Sequence, residues 1–152
     1  MEQSQTLRSI LISFQGGIAV LPNSTVVEVL PFATPLRMEK APPWVVGAIL
    51  WKTLTIPIVS LERLVYRTNP GGGAHSRIIV VSALSNNPKL RDFGFLGTEA
   101  PQLMDLERND IALHESKSAL PGVSCRVTVK GREAVIPDMA AIESVLSRLV
   151  NA

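Results

Sequence analysis

Apolar residues in this chain come in short β-branched runs, and nearly every run is closed by Gly, Pro or Asn. Runs of that length with those punctuators fit strands joined by turns. Ten candidate strands follow, at 9–14, 18–21, 25–30, 48–51, 56–59, 77–83, 93–96, 102–106, 124–129 and 133–136, so the expected fold class is all-β. Gly16-Gly17 and Lys130-Gly131 lie between consecutive runs and can supply the positive φ angles of tight hairpins. "LTIPIVSL" is less simple: Pro57 has no N–H for a ladder and is expected on an exposed edge strand or at a strand start.

Helical periodicity is clear only near the C-terminus. Met139, Ile142, Val145, Leu146, Leu149 and Val150 recur at 3.6-residue spacing, with Asp138 placed to cap and Glu143, Ser144, Ser147 and Arg148 expected to face solvent. Ser60 can cap a shorter helix over 61–66 that turns Leu61, Leu64 and Val65 inward.

"TNPGGGAHS" (68–76) divides the chain near its middle and favours a flexible connector. Residues 1–152 are expected to form one domain with lobes at 7–66 and 77–137, a connector at 67–76 and a closing helix at 138–150. The halves are weakly alike: each ends in Gly, a strand pair, Ile-Pro and a helix, as "GAILWKTLTIPIVSLERL" and "GVSCRVTVKGREAVIPDMAAIESVL".

Composition narrows the function. Apolar residues make up 46% and charged ones 18% of 152 residues, which excludes disorder and leaves apolar surface for partners. Basic residues are dispersed and the formal net charge is only +2, so a nucleic-acid partner is not expected. The longest charge-free run, 9–27, holds Gly16, Gly17, Pro22 and Asn23, which suits a hairpin and not a membrane insertion. "MEQSQTLR" lacks the basic and apolar order of a signal peptide, and the single cysteine, Cys125, permits no internal disulfide. A cytoplasmic protein is expected.

Catalytic chemistry finds few anchors. His75 lies in the glycine-rich connector and His114 in polar "LHESKS", and one cysteine with two distant histidines offers no metal-ligand spacing. "PGGGAHS" lacks the Gly-Lys-Ser/Thr ending of a phosphate loop, and no G-x-S-x-G elbow occurs. Asp105 and Glu107 share a strand face but sit among polar neighbours. Neither enzymatic activity, a cofactor nor a metal is expected. A small-barrel nucleic-acid binder and an uncharacterised small enzyme remain the alternatives.

The stretch "WVVGAILWKTLTIPIVSLERL" (44–64) resembles the core motif of CheW-like domains, adaptors of bacterial chemosensory arrays. The family pattern of Pro, a short apolar turn, Gly, an apolar strand, Arg-Gly and a Val/Ile-Pro-Val strand with Asp-Leu appears as Pro42-Pro43, "WVV", Gly47, "AILW", Lys52-Thr53, "LT", Ile56-Pro57-Ile58-Val59 and Ser60-Leu61. Upstream, "ILISFQGGIAVLPNSTVVEVLPF" is similar to the family's opening hairpin and following strand. Lys52 stands where arginine is usual, Thr53 where glycine is and Ser60 where aspartate is. These departures resemble the divergent ChpC- or PilI-like branch attached to type IV pilus and twitching systems.

The resemblance implies two SH3-like five-stranded β-barrel lobes with a C-terminal helix, and a scaffold without catalysis. It implies two partners: the regulatory domain of a CheA-type histidine kinase and the cytoplasmic tip of chemoreceptors. Trp51, Lys52, Leu54 and Ile56 are the expected partner-binding residues, with Lys52 in the place of the family's arginine; Trp51 and Ile56 could instead point into a barrel. Trp44 as a plug over a barrel, Gly47 at a close backbone approach and Pro57 are the expected structural residues.

Overall fold

A computed structural model describes residues 6–66, 75–85, 87–114 and 122–151. The first half runs β1 (Thr6–Phe14), β2 (Gly17–Pro22), β3 (Val26–Pro31), β4 (Val45–Trp51), β5 (Leu54–Ser60) and α1 (Leu61–Tyr66). The second runs β6 (Arg77–Ser82), β7 (Asp92–Gly97), β8 (Gln102–Glu107), β9 (Ile111–Leu113), β10 (Val123–Val129), β11 (Arg132–Pro137) and α2 (Met139–Asn151). Most of the expected connector, 67–74, lies outside the described residues.

Turn chemistry sets the hairpins. Lys52 and Thr53 (φ 50° and 71°) join β4 to β5, and Lys130 and Gly131 (φ 47° and 81°) join β10 to β11. Positive φ at both central residues matches the twist of the flanking strands. Gly16, at φ 93°, turns β1 into β2, with Phe14 opposite Gly17.

The strands form a six-stranded sheet ordered β8-β1-β2-β11-β10-β9 and a five-stranded sheet ordered β3-β6-β7-β5-β4. This corrects the expected lobe limits of 7–66 and 77–137. The β1–β2 hairpin joins the last strands of the second half, and β6–β7 joins β3, β4 and β5. The physical reason is that β2 runs parallel to β11 (Ala19 opposite Val135) and β5 parallel to β7 (Ile58 opposite Gly94). Parallel neighbours cannot be joined by a tight turn, so each pair draws one strand from each half.

Burial follows from that exchange. On β1, Ile10, Ile12 and Phe14 face a central core between the sheets, while Leu11 faces a core inside the first lobe. On β5, Val59 joins the central core, while Ile56 and Ile58 face a third core inside the second lobe. Strands covered on both faces need continuous apolar runs, which is why "SILISF" and "IPIV" scarcely alternate. Each sheet curls round its own core to give two SH3-like lobes, the first built on the six-stranded sheet and the second on the five-stranded one. In the central core Phe93 and Phe95 meet edge to face at 5.3 Å.

Pro57 is not at an exposed edge: it is buried on β5, between β4 and β7. Two details accommodate it. Ala48, opposite Pro57, turns its N–H and C=O away to Leu36 (both bonds 2.8 Å), and the β7 ladder begins only at Ile58. The missing N–H thus breaks no β4 bond.

Both helices form as their caps direct. Ser60 Oγ accepts the Arg63 N–H at 3.3 Å, and Asp138 Oδ1 accepts that of Ala141 at 3.1 Å. Ile142 and Leu146 bury into the central core with Leu61, Leu64 and Val65. Glu143, expected to face solvent, is only 3% exposed, and its Oε1 accepts the Ser85 N–H at 2.9 Å. Glu62, also 3% exposed, likewise accepts the Gln15 N–H at 2.7 Å. Each half's helix therefore grips its own half's hairpin, which lies in the other half's sheet.

Removing such an acceptor loses a part-buried hydrogen bond that ties a helix to a distant turn, a loss of roughly 1–3 kcal/mol. Glu62→Ala is expected to lower the unfolding free energy by about 2 kcal/mol in urea titration, and Glu62→Gln by less because an amide oxygen still accepts.

Candidate protein-binding site

The β4–β5 hairpin lies at the end of the second lobe, and its pairing sorts its side chains. Trp51 pairs with Leu54 and Ile49 with Ile56 on the face that looks into the lobe. Leu50 and Ala48 take the opposite face, where Leu36 is bridged to Ala48. Leu36 and Leu50 are 79% and 76% exposed, and diagonal neighbours of this kind are close enough for one partner surface to touch both.

Trp51 closes the lobe. β3 and β4 are the two edges of the five-stranded sheet, and the Trp51 indole N–H donates to Glu28 Oε2 at 2.7 Å across that seam. Lys52 Nζ stands 4.7 Å from the centre of the Trp51 ring. That cation–π contact holds the ammonium at the tip of the hairpin.

The residues singled out in the sequence therefore divide. Lys52 is exposed at the turn and Leu54 is 45% exposed beside it. Trp51 is 9% exposed and Ile56 2%, so both contribute chiefly to the core of the second lobe and support the hairpin from within. Trp44 is half-buried against the central core, and its carbonyl accepts the Ser60 N–H at 2.8 Å. Gly47, at φ 147°, lets the Leu36 segment lie close: a Cβ there would stand 2.4 Å from the Leu36 carbonyl oxygen. Pro57 is buried opposite Ala48.

Sequence reasoning missed Leu36, Leu50 and Glu28. For Leu50 a signal existed, since Ala48 and Leu50 alternate with Ile49 and Trp51 along one strand. Nothing local marks Glu28 as the acceptor of an indole 23 residues away. Apolar side chains are also exposed on two other edge strands, one in each sheet. Val29 on β3, opposite Ile79, is 40% exposed, and Leu103 on β8, opposite Ile10, is 56% exposed. Both flank the central core, where Ile79 and Ile10 are buried.

The polar groups weighed for catalysis are dispersed. Asp105 pairs with Arg8 at 3.2 Å on the surface, and His75 is exposed. His114 is bonded to Thr128 Oγ1 and lines a cavity of about 140 Å³ with Arg126 and Glu133. Burial pushes the Cys125 thiol above its usual range, away from the reactive thiolate. Among the described residues no three His, Cys, Asp or Glu side chains cluster as metal ligands, and no helix is long and apolar enough to cross a membrane.

The protein thus has two interlocked β lobes with exposed apolar edges and a braced, lysine-tipped hairpin. Its family is shown by a CheW-like domain model that matches residues 9–145: the chain belongs to the CheW-like domain family, non-catalytic scaffold proteins of chemosensory signalling. The scaffolding protein TtCheW from Thermoanaerobacter tengcongensis is similar in fold, with a TM-score of 0.72 over 91% of this chain and 88% of that one. At 16% identity that likeness speaks to fold alone. No curated protein matches the chain.

Thr53 is the strained element of the site. A β-branched residue at φ 71° crowds its Cβ against the backbone, at about 1–2 kcal/mol. Thr53→Gly is expected to raise the unfolding free energy by about 1 kcal/mol, read from the urea midpoint at unchanged slope. An unchanged or lower midpoint would show that Thr53 is unstrained.

Proposed function

We propose that this protein is a cytoplasmic adaptor that couples chemoreceptors to a CheA-type histidine kinase, in a chemosensory system governing type IV pilus or twitching motility. The observation that carries the reading is the hairpin at the end of the second lobe. It offers Lys52, Leu50 and Leu36 outward, with Leu54 half-exposed beside the turn on the other face, while Trp51, Ile56 and the Glu28 bond fix its shape from within. A surface already ordered before binding loses little entropy on docking.

The kinase regulatory domain, itself expected to be built of barrels, would pack its apolar surface on the leucines with charged groups at the rim around Lys52. A receptor tip is a helical hairpin, and a helix suits an exposed apolar sheet edge such as β3 at Val29 or β8 at Leu103. Lysine keeps the positive charge of the family's arginine but lacks the planar fork that grips a carboxylate twice. Thr53 and Ser60 are further departures from the adaptor pattern, and all three favour the divergent pilus-associated branch. The whole chain acts as one domain in this reading, because each sheet draws strands from both halves.

Affinity for the kinase regulatory domain tests the assignment. Lys52→Glu and Leu54→Ala are each expected to weaken binding by about 2 kcal/mol with circular dichroism unchanged. Undiminished binding by both variants would remove the hairpin from the interface.

A further inference from the structure

Four strand pairings join the first half to the second: β1 with β8, β2 with β11, β3 with β6 and β5 with β7. The lobe interiors are shared in the same way. Leu11 and Val20 from the first half pack with Val127 and Val129 from the second, and Ile56 and Ile58 pack with Ile78 and Val80. Neither half holds a complete core, and each is what the other requires. Between the described parts of the two halves, the chain crosses only once, through residues 67–74, "RTNPGGGA".

Strand pairing and core packing do not depend on whether the complementary half belongs to the same molecule. We infer that residues 6–66 and 75–151 are exchangeable halves, and that two copies of this chain can trade them to form a dimer containing two complete folds. The partner is a second copy of the chain, recognised by the same ladders and cores that fold the monomer. Exchange of an identical element is a low-cost route to a dimer. A short connector keeps the halves at an effective concentration on the order of 1 mM, so dilute chains close on themselves and concentrated ones exchange. The exchanged dimer carries every surface of the monomer twice.

The test uses full-length chains with a protease site in place of residues 71–73, one tagged at the N-terminus and one at the C-terminus. They are unfolded together in urea, refolded at rising concentration, and the dimer is isolated by size exclusion and cut under native conditions. Exchange predicts no dimer near 1 μM and a measurable share near 1 mM. Cutting should then release monomer-sized particles, some carrying both tags. Absence of dimer at the highest concentration, or cut dimers that never yield a monomer-sized particle with both tags, would overturn the inference. Cut monomer supplies a second readout: its two pieces should stay together and reassemble after urea is removed, and separation into independent pieces would equally overturn it.

Discussion

Parallel pairing of β5 with β7 and of β2 with β11 is the constraint on which the rest of the molecule depends. Each pair needs one strand from each half of the chain, so the lobes are made of exchanged hairpins and not of consecutive sequence. The central core, both helices and the two buried glutamates follow from it. α1 continues from β5 in the second lobe, yet its Glu62 holds the β1–β2 turn of the first. α2 continues from β11 in the first lobe, yet its Glu143 holds the loop after β6 in the second. Two helices placed this way brace the lobes against each other, which suits a scaffold whose partners must be held in fixed relation.

What local chemistry determines was legible in the sequence. Turn formers at the ends of apolar runs mark ten of the eleven strands among the described residues, and Ser60 and Asp138 mark the helix starts. The three-residue β9 has too few residues to show a period, and it forms because β10 offers it an edge at Val127–Val129. What escaped is non-local. Pro57 alone argues for an edge, and only the bend of Ala48 toward Leu36 makes an interior place tolerable. Glu143 lies on a helix position that reads as polar, and an orphan N–H from a distant loop turns it inward. The division into lobes failed for the same reason, since it depends on pairings between residues far apart in the chain.

The family pattern draws attention to the β4–β5 hairpin, and its packing explains how such a short element can be a stable surface. Trp51 spans the seam between the sheet's edges, Lys52 lies against its ring, and the leucines on the other face are left to solvent. Much of the chain's apolar surplus is absorbed by three cores. What stays exposed is concentrated at sheet edges and this tip, where a partner can cover it. Thr53 adds strain at the tip, and strained backbone persists where surrounding structure holds it. Here the Trp51–Leu54 pair and the seam bond hold it.

The claim that the exchanged hairpins make one cooperative unit is tested most directly by following both lobes through a single urea titration. With Trp44, which packs on the central core, replaced by Phe, Trp51 reports on the second lobe by fluorescence, and the amide signals of Val127 and Val129 report on the first by NMR. The two probes should give the same midpoint and slope, as one all-or-none transition requires. Separate transitions, with one lobe persisting after the other has unfolded, would contradict the account.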